Sequence, residues 1–135
     1  MKLTAHITLH PTPNQANALT RTLKAANAAC NHISAVAWAT RTFGKFALQT
    51  LCYQDVRTQF GLSAQMTVRA LAKVGDAYKR DQKTKRTFRP RASIAYDDRI
   101  LSFALPDSSI SIWTLDGRQR IPFGCGERQR QMLQT

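Results

Sequence analysis

The first ten residues alternate apolar and polar side chains, and this alternation constrains the fold more than any other feature. Apolar side chains occupy the odd positions Leu3, Ala5, Ile7 and Leu9. A period of two predicts a half-buried β-strand. The pattern that follows is helical for about seventy residues, so the strand has no neighbour nearby in sequence to pair with. We expect its partner to come from the strands after residue 91.

A long helical pattern begins directly after this strand. Thr12 and Gln15 have the spacing of a capping box, and Pro13 suits the first helical position. Apolar residues then recur in steps of three and four, which predicts a helix that runs towards Arg41. The apolar positions are Leu19, Leu23, Ala26, Cys30, Ile33 and Ala37.

Two shorter amphipathic helices follow, separated by Gly61 and a potential cap at Ser63. Their apolar positions are Leu48, Leu51, Cys52, Val56 and Phe60 in the second helix and Val68, Leu71, Val74 and Tyr78 in the third. Gly75 interrupts the third helix at a cost of up to about 1 kcal/mol relative to Ala, which predicts a close packing contact there. We expect an antiparallel bundle of three helices.

Short β-prone segments return after residue 91, in the stretches ASIAY, RILSFAL and SISIWTL. The dipeptide Asp116-Gly117 predicts a type I′ hairpin turn after Thr114. The order of one strand, three helices and several strands predicts an α+β fold. In this fold the helical bundle is inserted into a small antiparallel β-barrel.

Positive charge is concentrated in one segment. The chain has 20 Lys and Arg against eight Asp and Glu, a formal charge of +12, and KRDQKTKRTFRPR at residues 79–91 carries +6 of it. Such a balance predicts a polyanionic partner. Arg side chains interleaved with Phe88 favour single-stranded or A-form nucleic acid over a membrane surface, because the segment has no apolar face to enter lipid. A solvated face or a flexible linker remains the alternative.

Residues suited to catalysis are scattered. Asp97-Asp98 is the one acidic cluster, and its position between β-prone segments indicates a turn. His6 and His10 are too far apart along a strand to share an ion, and His32 is expected to make a surface or interhelical hydrogen bond. Cys30, Cys52 and Cys125 are too far apart in sequence for any C-x-x-C pair, so we expect them to be reduced thiols. We therefore predict a cytoplasmic binding protein with no catalytic site, no metal and no cofactor, and we find no targeting or membrane-spanning segment.

Several motifs resemble one family in order and spacing. They are LHPTPNQANALTRTLKAANAACNHIS with its Cys30-Asn31 doublet, LCYQDVRTQFGLSAQMTVRALAKVGDAYKR, FRPRASIAYDDRILSF and ISIWTLDGRQRIPF. Together they resemble the N-terminal region of TnpB proteins, the OrfB-type RNA-guided nucleases of insertion sequences.

The resemblance implies two domains and a partner. Residues 1–11 and 86–135 would form a wedge domain, an incomplete oligonucleotide-binding-like barrel, and residues 12–85 a helical recognition domain. The wedge would bind a structured guide RNA, and both domains would contact target DNA and its flanking motif. Cations would bind the nucleic-acid backbone at Lys79, Arg80, Lys83, Lys85, Arg86, Arg89 and Arg91, supported by Arg69 and Lys73.

Carried over by position, Phe46, Thr50, Gln65 and Tyr96 would contact bases, although Phe46 and Tyr96 would equally suit packing roles. Val68 and Ala95 depart from the family pattern because neither can hydrogen-bond a base edge. The sequence also lacks the nuclease and zinc-finger segments of a full member, so it is expected to be non-catalytic, as a fragment or a remnant. An incomplete barrel would leave an open edge and permit self-association.

Two other functions remain open at this point. The chain could be a stand-alone DNA-binding regulator with a helix-turn-helix-like arrangement, because FGLSAQMTVRAL has a short turn before a capped helix. It could also be an inert remnant whose charge only keeps it in solution.

Overall fold

The computed structural model describes residues 7–97, 99–104 and 108–124. The elements in chain order are β1 (Thr8–Leu9), α1 (Pro13–Thr40), α2 (Lys45–Phe60), α3 (Ala64–Arg80), β2 (Leu101–Ala104), β3 (Ser109–Thr114) and β4 (Gly117–Gly124). The described part of the chain is therefore α+β, with three helices and an open, four-stranded antiparallel sheet. The predicted fold class is confirmed at this level. The predicted residues His6, Asp98 and Cys125 lie outside the described ranges.

Contacts divide the chain into two units. The helical unit comprises Thr20–Tyr96, and the sheet unit comprises the described residues up to Leu19 and from Asp97 onwards. The predicted domain boundaries, with residues 12–85 in one domain and the remainder in the other, stay a prediction. None of the helices within the described ranges is long and apolar enough to cross a membrane.

In the sheet unit, the strand order is β1-β4-β3-β2. Thr8 lies opposite Gly124 and Leu9 opposite Phe123, so the first strand pairs with a strand from the far end of the chain. This prediction is confirmed. The core of the unit is aliphatic and aromatic, because alternate residues of β3 and β4 face inwards. Its buried residues are Ala18, Ile100, Ile110, Ile112, Ile121 and Phe123.

The hairpin between β3 and β4 is confirmed, but its predicted turn is wrong. Thr114 pairs with Gly117, so the two turn residues are Leu115 and Asp116, and neither has the positive φ of a type I′ turn. Gly117 follows the turn with φ 94°. The Thr114 hydroxyl donates to the carbonyl of Gly117 at 2.7 Å and accepts from the amide of Asp116 at 3.1 Å. These bonds close the turn one residue earlier than predicted.

Both predicted N-terminal caps are confirmed. The amide of Thr12 donates to Oε1 of Gln15 at 3.0 Å, and the amide of Gln15 donates to Oγ1 of Thr12 at 3.2 Å, which is the reciprocal capping box. The Ser63 hydroxyl accepts from the amide of Met66 at 3.2 Å at the start of α3. Gly61 ends α2 with φ 67°, a left-handed conformation that costs glycine little.

In the helical unit, α2 and α3 form an antiparallel hairpin. A Cβ added at Gly75 would lie 3.6 Å from Cβ of Lys45, so the last turns of α3 lie against the first turn of α2. Gly75 is buried against α2 as predicted, but 3.6 Å is an ordinary van der Waals contact, so the packing would also accommodate Ala. The predicted apolar faces of α2 and α3 are buried, except that Phe60 and Val68 are half-buried and Leu51 is 51% exposed. The large buried side chains of the unit are Ile33, Leu48, Val56, Met66, Leu71, Val74 and Tyr78.

Helix α1 contacts the α2–α3 hairpin through side chains. His32 and Asp55 lie 2.9 Å apart between Nε2 and Oδ2, so of the two kinds of hydrogen bond predicted for His32 the interhelical one is present, with a carboxylate partner that was not predicted. Cys30 is buried against the carbonyl of Ala70 at 3.8 Å, and Cys52 is buried on α2. Both cysteines are free thiols, as predicted.

Candidate nucleic-acid interface

Residues 82–93, which contain most of the basic segment, form a strap that runs along α1 in the opposite direction. The order of its attachments fixes this direction. Arg41 donates to the carbonyl of Gln82 at 3.3 Å near the end of α1. Ser34, Asn31 and Asn27 then contact strap residues of steadily higher number. The predicted β-strand at ASIAY is wrong, because residues 92–96 contain no strand and the first of them belong to this strap.

Two asparagines of α1 bind the strap main chain. Asn31 donates from Nδ2 to the carbonyl of Phe88 at 3.0 Å and accepts from the Phe88 amide at its Oδ1 at 2.7 Å. Its amide thereby satisfies both main-chain groups of one strap residue. Asn27 is fully buried and donates to the carbonyl of Ala92 at 2.8 Å and to that of Pro90 at 3.2 Å. A helix side chain therefore replaces the partner that a neighbouring strand would supply.

A buried pair of hydroxyl groups holds the strap at Arg86. Oγ of Ser34 lies 2.8 Å from the hydroxyl of Tyr78, and both residues are fully buried. The Arg86 amide donates to the Tyr78 hydroxyl at 3.1 Å, and the Ser34 hydroxyl donates to the Arg86 carbonyl. A consistent assignment has Tyr78 donating to Ser34, so each hydroxyl both donates and accepts. This network joins α1, α3 and the strap.

Lys73 of α3 completes the anchorage. Its Nζ donates to Oδ1 of Asn27 at 2.9 Å and to the carbonyl of Ser93 at 2.8 Å. The same ammonium lies 5.1 Å from the centre of the Phe88 ring, within the range of a cation–π contact. Because two of its three N–H groups are used, Lys73 positions the strap in this structure. Its predicted role as a supporting phosphate contact stays a prediction.

The strap alternates exposed and half-buried residues before it turns. Lys85, Thr87 and Arg89 are exposed while Arg86 and Phe88 are half-buried, which is the alternation of an extended chain. The Ala92 amide then donates to the Arg89 carbonyl at 3.0 Å and closes a turn.

This alternation separates the predicted backbone-binding cations into two groups. Arg86 is half-buried, and its Nη1 lies 3.5 Å from Oδ2 of Asp81. The other cations of the segment are exposed, and within the described ranges none of them forms an ion pair. They are Lys79, Arg80, Lys83, Lys85, Arg89 and Arg91. Lys79 and Arg80 lie on the last turn of α3, and the other four cations project from the strap that α1 holds.

The predicted base-contacting residues lie in three places. Phe46 is 76% exposed, and Thr50 lies one turn further along α2, where its hydroxyl donates to the Phe46 carbonyl at 3.3 Å. Both line a shallow depression on α2. Gln65 is half-buried on the first turn of α3. Tyr96 follows the strap and is half-buried, and this burial raises its pKa to about 12.

Sequence analysis missed the residues that hold the strap. Asn27, Asn31 and Ser34 recur in steps of four and three, so they form a polar stripe beside the apolar face of α1. Polar residues with a helical period predict a bound polar segment in the same way that apolar residues predict a core. The Cys30-Asn31 doublet contains one residue of each kind, because Cys30 faces the core and Asn31 faces the strap.

Comparison of the chain with models of protein families, with curated proteins and with solved structures finds no match. The resemblance to TnpB proteins therefore rests on the sequence motifs. Within the part of the chain that the structure describes, no three His, Cys, Asp or Glu side chains come together as a metal site requires.

Proposed function

We propose that this chain is the nucleic-acid-binding N-terminal lobe of a TnpB-like RNA-guided DNA endonuclease. It binds a structured guide RNA and the duplex that flanks the target, and it carries no nuclease activity itself. The observation that carries the proposal is the strap, whose main chain is held by α1 and whose exposed side chains include four cations. We also propose that the sheet unit is part of an oligonucleotide-binding-like wedge, into which the helices are inserted as a bundle.

A fixed strap favours binding of a phosphate backbone for an entropic reason. A flexible basic linker loses main-chain freedom when it binds, at about 1–2 kcal/mol per residue. In this chain the hydrogen bonds to Asn27, Asn31 and Tyr78 have already ordered the strap. The outward cations Lys85 and Arg89 are four residues apart, about 13 Å in an extended chain, so they can contact phosphates that are about two nucleotides apart on one strand. The flexible-linker alternative is thus disfavoured.

The helix-turn-helix regulator is less consistent with the geometry. A helix-turn-helix crosses its two helices at about 90–120°. Helices α2 and α3 instead lie antiparallel, because the end of α3 at Gly75 contacts the start of α2 at Lys45. A recognition helix in a major groove needs an exposed face, whereas α3 is buried along much of its length and contacts the strap through Lys73.

The proposal is tested by equilibrium binding of the full chain to three ligands at several salt concentrations. The ligands are the RNA transcribed beside the chain's own gene, an unrelated RNA hairpin and a DNA duplex. We expect the first to bind most tightly. If the six exposed cations contact phosphates, log K falls with log salt with a slope of about −4 to −5. Equal binding of all three ligands would contradict the proposal and favour a remnant.

A pair of variants distinguishes the contribution of the strap cations to RNA binding from the contribution of net charge. Lys85→Ala/Arg89→Ala removes two outward cations, and Lys24→Ala/Arg57→Ala removes the same charge from exposed positions of α1 and α2. We expect the first variant to weaken RNA binding and the second to retain it. Equal losses would show that net charge, rather than the strap, determines binding. Tighter binding of duplex DNA than of RNA would instead support the regulator.

A further inference from the structure

A groove in the helical unit has a composition that the phosphate-binding strap does not explain. It lies between α3 and residues 93–95, above α1, and encloses about 350 Å³. Binding sites for small organic ligands begin at about 300 Å³. The groove is therefore large enough for one flat ring system and too small for a duplex.

The floor and walls of the groove are apolar. Met66 and Cys30 form buried parts of the lining, and Ala70 lies beside them. Ala72 on α3 and Ala95 on the facing segment also line it. The short alanine side chains leave the space open, and the lining offers dispersion contacts to an apolar ring. Burial raises the pKa of the Cys30 thiol to about 11, opposed by the nearby charge of Lys73, so the thiol adds no negative charge to the groove.

Charged groups surround this apolar space in a defined order along α3. Arg69 and Arg80 are eleven residues apart, about 16 Å along the helix, and Lys73 and Asp76 lie between them. The Lys73 ammonium is engaged by Asn27 and Ser93. The two end cations match phosphates about two nucleotides apart on one strand, and the Asp76 carboxylate accepts hydrogen bonds from N–H groups. A flat ring with N–H donors, on a strand whose phosphates reach both ends, fits these residues.

Arg69 supplies an unsatisfied donor at one end. Its Nε is buried and has no hydrogen-bond partner among the described residues. A buried donor without an acceptor is costly, and a phosphate oxygen that reaches it would remove that cost. Arg69 also lines the cavity, so this donor belongs to a side chain that a bound ligand can contact.

We propose that the groove binds one unpaired nucleotide of the nucleic acid, with its base inserted between Ala72 and Ala95 and phosphates of the same strand, about two nucleotides apart, at Arg69 and Arg80. The inference deepens the proposed function and rests on it for the source of the nucleotide. Guanine is preferred, because its N1–H and its amino group can both donate to the Asp76 carboxylate, whereas each of the other bases presents one N–H donor on that edge. The strap supplies binding that is independent of sequence, and the groove adds selection of one base.

The test compares two single-stranded oligoribonucleotides that differ at one central position, which is either a cytidine or an abasic site. An inserted base removes apolar surface of its ring and of the groove from water, so we expect the intact oligonucleotide to bind about tenfold more tightly. Ala72→Leu fills the groove and should abolish this tenfold difference. Ala39→Leu makes the same change at an exposed position of α1 and should retain it. Guanosine at the central position should bind more tightly than cytidine.

A second variant and a second ligand keep the test decisive. Arg69→Gln removes the end cation without adding bulk, and it should lower the preference for the intact oligonucleotide if Ala72→Leu does not fold. Titration with cytidine 5′-monophosphate should shift the NMR signals of the Met66 and Ile94 methyl groups, both of which line the groove. Equal binding of the abasic and the intact oligonucleotide would overturn the groove site and leave the proposed function in place.

The two failures are distinguishable. If no oligonucleotide binds at low salt, the proposed function is wrong, and the mononucleotide titration then decides the groove by itself. Methyl shifts with cytidine 5′-monophosphate that Arg69→Gln abolishes would support a nucleotide site in a chain with another role. Unchanged methyl signals at millimolar mononucleotide would overturn it.

Discussion

The helical unit and the sheet unit both carry arginines, but they use them in opposite ways. In the strap, the main chain is held by α1 and the cationic side chains point outwards. In the sheet unit, Arg118 donates to Oγ of Ser111 at 2.8 Å, to the carbonyl of Ser111 at 3.3 Å and to the carbonyl of Arg99 at 2.7 Å. There the guanidinium is held by the main chain. The same residue type is thus a ligand-binding group in one unit and a structural crosslink in the other.

The difference shows that net charge alone does not identify a nucleic-acid interface. A guanidinium with three intramolecular hydrogen bonds must give them up before it contacts a phosphate. A side chain that projects from an ordered main chain loses only rotamer freedom. We therefore expect changes in the strap to alter binding and changes at Arg118 to alter stability. The following predictions test that contrast, beginning with the largest expected effect.

Asn27→Ala should destabilise the helical unit by about 2–4 kcal/mol. The change leaves the carbonyls of Pro90 and Ala92 and the ammonium of Lys73 without their partner in a buried site. The measurement is chemical denaturation followed by circular dichroism. Asn17→Ala, at an exposed position of the same helix, is the control and should change stability by less than about 0.5 kcal/mol. An effect of that small size for Asn27→Ala would mean that the strap is not anchored as described.

High pH should destabilise the helical unit selectively. Burial raises the pKa of the Cys30 thiol from 9.0 to about 11, and that of the Cys52 thiol is also raised by burial and by the charge of Asp55. Between pH 9 and about pH 11, the unfolded chain releases the Cys30 proton and the folded chain keeps it. Stability is therefore complete below pH 9 and falls by about 1.4 kcal/mol per pH unit towards pH 11.

The measurement for this second prediction is denaturation from pH 8 to pH 11, compared with Cys30→Ala. The wild-type chain should lose more stability over this range than the variant, because lysines and tyrosines titrate in both and cancel in the difference. Identical pH profiles would show that Cys30 is accessible to water in the folded chain.

Lys85→Ala/Arg89→Ala should reduce the affinity for single-stranded RNA about tenfold at low salt. Removal of two phosphate contacts should also make the slope of log K against log salt shallower by about 1.4. Thermal unfolding should be unchanged, because both side chains are exposed and hold nothing in place. An unchanged salt slope would indicate that the strap does not contact the phosphates.

Arg118→Gln should produce the reverse pattern, with a smaller effect. We expect a loss of about 1 kcal/mol in the stability of the sheet unit, because three hydrogen bonds at an exposed site are partly replaced by water. RNA affinity should change by less than about twofold, since the guanidinium is already engaged. A loss of affinity as large as that of the strap variant would end the distinction between the two units.

The sequence predicted elements whose evidence is local and missed those that depend on distant partners. The capping box at Thr12 and Gln15 and the left-handed end of α2 at Gly61 follow from neighbouring residues alone. The ASIAY segment was predicted as a strand from its β-propensity, but a strand also needs a neighbour. The side chains of Asn27 and Lys73 bind the backbone there and replace that neighbour.

The same reasoning applies to the candidate site. The cations of the basic segment were visible as composition, whereas the outward position of Lys85 and the inward position of Arg86 depend on where the strap meets α1. The groove was not predictable, because its lining combines three separate stretches of the chain. Arg69 is one of many arginines in the sequence, and only the structure shows that its Nε is buried without an acceptor.

The pairing of β1 with β4 has a consequence for how the chain is made. Thr8 and Gly124 are partners in the sheet, so the first strand stays unpaired until the residues between them have been synthesised. At about 5–20 residues per second this delay lasts several seconds or longer. The helical unit, complete at residue 96, can fold during that time. We therefore expect the helices and their strap to be native before the sheet closes, with the unpaired first strand open to chaperones in the interval.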